Sequence, residues 1–270
     1  MKKIIISIVT IVYNDHNHIE RTIHSVLDQD YPYIDYVIVD GASTDGTKEC
    51  IYRYEAFLGT LISEPDKGIY DAMNKGLQAV KGNYVLFMNS GDCFSDQSVV
   101  SKIVNYIKSS GYFPELVYGD YRESSVEGKS PIIPSRSYKK IWYGAFASHQ
   151  SIFYNCQFLK EKGLKYDLSY QIAADYKLNL EVVKYAKGNI LQVPMCISDF
   201  DITGISNNNQ ALGLTEADRA RKEVLGLSLL VRTSIILVSC IARFMKKYLN
   251  PIYRTLRDRK STRLNSSHNA

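Results

Sequence analysis

Two hydrophobic periods alternate along the first hundred residues. Residues 4–12 form a continuous, β-branched apolar run, which reads as a buried strand. A polar helical pattern over residues 16–29 follows, then a second strand at 36–39, a helix near 48–57 and a short strand at 61–62. Residues 69–80 read as a helix, 84–88 as a strand and 98–108 as another helix. Single helices between strands imply parallel βαβ units with right-handed crossovers. The expected class is therefore α/β, with a mainly parallel central sheet flanked by helices.

Beyond a strand at 116–118 the pattern becomes irregular. Residues 122–137 carry charges and two prolines, as in a long functional loop or a β-extension. Periodicity returns with a helix at 175–185 and a strand at 190–193. No internal repeat is evident. From Leu214 onward the chain reads as helical. Residues 224–242 span 19 positions with Arg232 as their one charge, flanked by Arg219, Arg221 and Lys222 and by Arg243, Lys246 and Lys247. That length suffices to span a bilayer, but a central arginine is costly there. An interfacial amphipathic helix with basic flanks fits better, and a helix packed on the main domain or at a dimer contact is the alternative. The expected division is a catalytic domain over 1–213, a basic helical extension over 214–260 and an unstructured tail over 261–270. The tail continues no pattern and resembles translated adapter sequence.

Composition adds limits. The 270 residues suffice for one large domain with an appendage or for two small ones. With 45% hydrophobic and 23% charged residues, disorder throughout is excluded. Five scattered cysteines without a CxxC pair point to a reducing compartment and exclude a disulfide framework or cysteine zinc site. The apolar stretch after Met1-Lys-Lys is β-branched and lacks a small-x-small cleavage site, so a first strand is expected in place of a secretory signal. Charge is uneven. Of the net +5, the stretch from Arg219 to Arg263 holds 12 Lys/Arg against 2 Asp/Glu, a local +10, leaving −5 elsewhere. Such asymmetry suits an anionic surface as the tail's partner. Nucleic acid is not expected, because no recognition module or stacking platform accompanies the charge.

The chemistry concentrates in Ser63-Glu-Pro-Asp-Lys-Gly-Ile-Tyr-Asp-Ala-Met-Asn-Lys-Gly76 and in Asn89-Ser-Gly-Asp92. Thr10, Tyr13 and Asp15 end or follow the first strand, Asp40 the second, Asp66 the third and Asp92 the fourth. Each alone suits a turn or helix cap. Their recurrence at four successive strand ends has the layout of a ligand site in an open α/β sheet. Neither Gly-x-Gly-x-x-Gly nor a Walker motif occurs, so dinucleotide and P-loop sites are unsupported.

These blocks carry a resemblance. Thr10-x-x-Tyr-Asn14, Val39-Asp-Gly-Ala-Ser-Thr-Asp-Gly-Thr47, Glu64-x-Asp-Lys-Gly-Ile-Tyr-Asp-Ala-Met-Asn-Lys-Gly76, Asn89-Ser-Gly-Asp92, His149-Gln150, Ala173-Ala-Asp175-Tyr and Gly204-Ile-Ser206 occur in that order. Over about residues 4–210 the chain resembles family 2 glycosyltransferases of the GT-A fold, especially bacterial enzymes of O-antigen, lipopolysaccharide and exopolysaccharide synthesis.

The resemblance implies roles. Asp40 would accept the uracil imide N–H, with Thr10, Tyr13 and Asp66 lining the nucleoside site and Asn89 beside the ribose or an ion. Asp71 and Asn74 would order their helix and its contacts to the donor, and His149 and Gln150 would meet the acceptor or the diphosphate. The family commonly has Asp-x-Asp-Asp where this chain has Asn89-Ser-Gly-Asp92, so Asp92 would be the metal carboxylate for Mn2+ or Mg2+. Relatives often carry Glu-Asp before the last catalytic helix. Here Ala174 replaces the first acid, leaving Asp175 as general base.

The implied reaction is inverting transfer of a hexose or N-acetylhexosamine from a UDP-sugar to a polyprenyl-diphosphate-linked or other glycan acceptor. It would take place at the cytoplasmic membrane face. A sugar nucleotidyltransferase would favour a Gly-rich loop with a catalytic Lys or Arg near the first strand, which is lacking. A non-catalytic sugar-nucleotide-binding membrane protein is the other alternative, suggested by the thinned metal motif and by Ala174.

Overall fold

The computed structural model describes residues 3–125, 128–201 and 210–248. The Gly204-Ile-Ser206 motif and the tail from 249 onward lie outside them. The chain divides into two compact units between Leu225 and Gly226.

In the first unit the expected alternation is realised. Strand β1 (Ile6–Val12) leads to α1 (His16–Leu27), β2 (Ile34–Asp40), α2 (Thr47–Tyr52) and a 3-10 turn at Glu55–Phe57. There follow β3 (Thr60–Ser63), α3 (Ile69–Ala79), β4 (Tyr84–Phe87), β5 (Cys93–Phe94) and α4 (Val99–Ser109). The remainder comprises β6 (Leu116–Ser125), β7 (Gly128–Lys129), β8 (Ile152–Asn155), α5 (Cys156–Lys162), α6 (Ala174–Ala186), β9 (Ile190–Asp201) and α7 (Gln210–Leu225).

The nine strands form one sheet in the order β3-β2-β1-β4-β8-β6-β9-β5, with β7 paired to β6. The first four strands are mutually parallel, as their single-helix crossovers require. The chain steps outward from β1 to β2 and β3, then returns to place β4 on the other flank of β1. This reversal opens a crevice beyond the strand ends, where open α/β sheets bind ligands. β8 enters antiparallel between β4 and β6, whereas β6 and β9 are parallel.

Every residue of β1 is buried because both faces of the sheet are covered. Val9 and Ile11 join a cluster with Met73 of α3, Leu178 of α6 and Val224 of α7. Ile6 and Ile8 point the other way, onto Ile19 and Ile23 of α1 and Ile103 of α4. Gly76 lets α3 settle on the sheet, since a Cβ there would lie 2.4 Å from Val9 Cγ1.

Several elements escaped the periodicity reading. β9 runs to Asp201, far beyond its apolar start, and β5, β8 and α5 were not expected at all. The irregular stretch after β6 is a β-extension, closed by β7 and by a bridge between Tyr121 and Ile133. A domain boundary at 213/214 is also corrected, because α7 belongs to the first unit. Its Arg221 Nε donates to the Trp142 carbonyl at 2.9 Å, and Val224 O accepts from Lys184 Nζ at 2.7 Å.

The second unit contains α8 (Leu229–Tyr248). No helix among the described residues is long and apolar enough to cross a membrane.

Candidate active site

The crevice is built by loops stitched across the parallel strand ends. After β1 the chain turns at Asn14, in the left-handed region at φ 48°. Its N–H donates to Ser43 Oγ and its Oδ1 accepts the Thr44 N–H, both at 2.8 Å. Asp15 extends the stitching to β4, because its Oδ2 accepts from Ser90 Oγ at 2.7 Å. Asp40 ties β2 to β3. It is fully buried and accepts from the Ser43 N–H at 3.1 Å and from Ser63 Oγ at 2.7 Å.

Tyr13, Gly41 and Asp66 meet at one end of the crevice. A Cβ on Gly41 would lie 2.5 Å from Asp66 Oδ2 and 3.2 Å from the Tyr13 ring. Tyr13 is 65% exposed, leaving a ring face open to a planar ligand. Asp66 also accepts the Gly68 N–H at 2.8 Å, which turns the chain into α3. Thr10 lies within β1 with its hydroxyl 3.1 Å from Tyr36 Oη and, like Asp40, is fully buried.

At the other end stand Asn89, His149 and Asp175. Asn89 Nδ2 is 3.2 Å from His149 Nε2, while Asn89 Oδ1 is buried without a partner. Asp175 occupies the first turn of α6. Burial raises its pKa above the ordinary carboxylate value, with His149 and the backbone N–H groups of Tyr176 and Asp175 opposing and Glu216 adding to the rise. Burial lowers the pKa of His149, with Asp175 opposing. A neutral imidazole thus faces a carboxylate of increased basicity, the arrangement a general base requires.

Three further expected site residues are engaged within the protein. Asn74 lies across the α3 surface with Nδ2 donating to Tyr166 O at 2.8 Å and Oδ1 accepting Tyr166 N–H at 2.9 Å. Its amide is spent on the backbone and not on a donor. Gln150 is buried, with Nε2 donating to Asp92 Oδ2 at 2.8 Å and Oε1 accepting from Ser148 Oγ. Asp71 serves its helix alone, accepting the Lys67 N–H at 3.0 Å.

Asp92, the expected metal carboxylate, is placed away from the open crevice. It is 3% exposed, turned inward, and its second oxygen accepts the Asp201 N–H at 2.9 Å. Burial pushes its pKa up to about 7, with the neighbouring Asp201 contributing and the two hydrogen bonds opposing. No group of three His, Cys, Asp or Glu that could hold a metal occurs among the described residues. The Asn89 oxygen is a buried acceptor without a hydrogen-bond partner here. As arranged, these residues do not fit a resident divalent ion.

Two contributors were not legible in sequence. Arg21 of α1 donates to the Gly91 carbonyl and lies 3.4 Å from Asp201 Oδ2, bringing a cation to the Asn89–Asp92 turn. Glu216 of α7 accepts the backbone N–H groups of Gln171, Ile172 and Ala173, just before Asp175. Both lie in helical stretches without a motif, so no local signal marks them.

Comparison with known proteins agrees with this geometry. The family model described as "Glycosyl transferase family 2" matches residues 7–158. An uncharacterized glycosyltransferase of Mycobacterium tuberculosis is 30% identical over 207 residues, covering 76% of this chain and 78% of the relative. The glycosyltransferase TuaG of Bacillus subtilis, named for teichuronic acid biosynthesis, is 40% identical over 93 residues, 33% of this chain and 37% of its own. Among solved structures, S. aureus TarS 1-349 in complex with UDP superposes with a TM-score of 0.67 at 18% identity, over 90% of this chain and 72% of that one. The mannosyltransferase PcManGT of Pyrobaculum calidifontis, in complex with GDP-Man and Mn2+, gives 0.64 at 16%, over 94% and 83%. The architecture is the GT-A one expected, and the chain belongs to glycosyl transferase family 2.

Proposed function

We propose that this glycosyltransferase moves a hexose or N-acetylhexosamine from a UDP-sugar, with inversion, to a lipid-linked glycan in the synthesis of a bacterial surface polysaccharide. The observation that carries the reading is Asp175, a half-buried carboxyl in the first turn of α6 whose pKa desolvation raises, with His149 as its titratable neighbour. It shares the strand-end crevice with Asp40, Gly41 and Asp66 through α3, whose Tyr70 hydroxyl donates to Ile172 O at 2.5 Å. TarS structures with UDP and UDP-GlcNAc, and PcManGT with GDP-Man, support a nucleotide-sugar donor for this fold. TuaG supports a surface polysaccharide.

In this reading the uracil imide N–H donates to Asp40, whose carboxylate retains lone pairs beyond those used by Ser43 and Ser63. Tyr13 packs on the base, and Asp66 closes the nucleoside site. Asp175 takes the proton of the acceptor hydroxyl as its oxygen attacks the anomeric carbon opposite the diphosphate. The new C–O bond forms as the bond to UDP breaks, UDP leaves with the electron pair, and configuration inverts. Proton removal supplies about 10²–10⁴-fold. Positioning and stabilisation of the leaving diphosphate supply the remainder.

The test is UDP release from a panel of UDP-sugars with synthetic lipid-diphosphate acceptors, with Mn2+, without it and with EDTA. Transfer is expected with a UDP-sugar and lost in Asp175→Asn, which should still bind UDP. Activity confined to a GDP-sugar would overturn the Asp40 assignment, and full activity of Asp175→Asn would overturn the base. The EDTA arm decides divalent-ion dependence, which the family resemblance implies and the inward Asp92 does not support.

A further inference from the structure

Helix α6 starts without a cap of its own. Its N-cap residue is Ala173, which has no side-chain acceptor for the first backbone N–H groups. The backbone just before the helix is instead gripped from another element. Glu216 of α7 is buried, its Oε1 accepting the Gln171 N–H at 2.8 Å and its Oε2 those of Ile172 at 2.8 Å and Ala173 at 2.9 Å. The same backbone is held from the opposite side by Tyr70, which donates to the Ile172 carbonyl. Three consecutive amides on one carboxylate define the path of the chain just before Asp175.

We propose that Glu216 is a positioning residue for glycosyl transfer, a clamp supplied from α7 that fixes residues 171–173 and so aims Asp175 at the acceptor hydroxyl. The inference rests on Asp175 being the base. A helix cap stabilises its helix, whereas this clamp holds the backbone two to four residues before the reacting carboxylate. Misplacement of about 1 Å at such a group costs on the order of 10²-fold in rate.

The charge has a second consequence. The titratable groups facing Asp175 are His149 from the turn before β8, Glu216 from α7, Tyr70 from α3, Tyr154 from β8 and Tyr166 from the α5–α6 connection. Burial raises the three phenols, keeping them neutral, so Glu216 and His149 are the partners that tune the carboxyl. Anionic Glu216 makes Asp175 a stronger base, and removing that charge lowers its pKa.

The full chain and three variants test the inference. Glu216→Gln presents one acceptor oxygen to three donors and no charge. Glu216→Asp keeps the charge on a shorter stem. Asp175→Asn reports whether the base assignment holds. Hydrogen exchange at Gln171–Ala173 is expected to quicken about tenfold or more in both Glu216 variants. The Asp175 carboxyl, followed by NMR, should titrate at lower pH in Glu216→Gln and remain near wild type in Glu216→Asp.

With the donor and acceptor found in the screen above, kcat should fall about tenfold or more in both Glu216 variants while donor KM is unchanged. Wild-type exchange and kcat in Glu216→Gln would overturn the inference even if Asp175→Asn is inactive. Collapse of the melting transition in both Glu216 variants would overturn it too, since the clamp would then serve the fold. If Asp175→Asn stays active the base reading fails, and the Glu216 role built on it fails too. The exchange and titration would then describe only a structural clamp.

Discussion

Gly41 is a tight point of the proposed nucleoside end, where a Cβ would meet the Asp66 carboxylate and the Tyr13 ring. Gly41→Ala forces that carboxylate aside at little cost to the fold, because the clash is with a side-chain tip at the surface. The expected outcome is UDP binding weakened about tenfold by calorimetry, roughly 1.4 kcal/mol, with an almost unchanged melting temperature.

Asp92 yields a prediction of opposite kind. Burial pushes its pKa up to about 7 in the folded chain, against 3.8 for an ordinary aspartate. Between those values the native state binds more protons than the unfolded chain, so stability falls as pH rises through this window. Below it both states are protonated and the contribution vanishes. Asp92→Asn removes this slope. Its stability relative to wild type should therefore improve from pH 4 to pH 8 by up to a few kcal/mol, on the order set by the shift. Urea melts in EDTA at the two pH values measure it, and a gap that stays constant would contradict the buried, inward carboxyl.

At the level of elements, α3 is the hinge between the two ends of the crevice. Its N-terminus follows Asp66, its Tyr70 reaches Ile172, and its Asn74 pairs with both backbone groups of Tyr166. Asn74→Ala leaves a buried N–H and a buried carbonyl of Tyr166 without partners, at roughly 1–3 kcal/mol for each unsatisfied group. The expected loss is about 2–4 kcal/mol by urea denaturation, with UDP affinity retained in the surviving folded fraction. A loss in UDP affinity without a loss in stability would return Asn74 to the donor site.

For the molecule as a whole, α8 carries the proposed membrane contact. Leu230, Leu237, Ile241 and Phe244 recur at helical spacing and are exposed, Leu230 at 81%, and the surrounding sequence is strongly basic. This supports a peripheral place on the inner face of the cell membrane, where a polyprenyl-linked acceptor would be met. Co-sedimentation should be strong with phosphatidylglycerol vesicles and weak with phosphatidylcholine vesicles. It should fall with salt and be abolished by Leu230→Glu with Leu237→Glu. Binding that is indifferent to lipid charge would reject the electrostatic part, and wild-type binding by the double variant would reject the helix.

What was legible from the sequence alone was whatever is written locally. Buried parallel strands read as apolar runs such as residues 4–12, turn chemistry marks the strand ends, and ordered motifs such as Asp40–Thr47 and Glu64–Gly76 carry the family. Where a polar side chain points is not local. Thr10, Asn74, Gln150 and Asp92 lie in the right motifs, yet their polar atoms are taken up by Tyr36, Tyr166, Asp92 and the Asp201 backbone, partners 26 to 109 residues away. β8 and the outer half of β9 were missed for the same reason, since their strand character comes from neighbours in the sheet. Glu216 is the clearest case. Nothing around it in sequence distinguishes it from any helical acid, and only the packing of α7 against α6 brings its carboxylate to three amides before Asp175. Sequence determined the family and the strand-end layout. Tertiary structure decided which groups in that layout are free to act, because hydrogen-bond satisfaction of buried polar groups is settled across the whole chain.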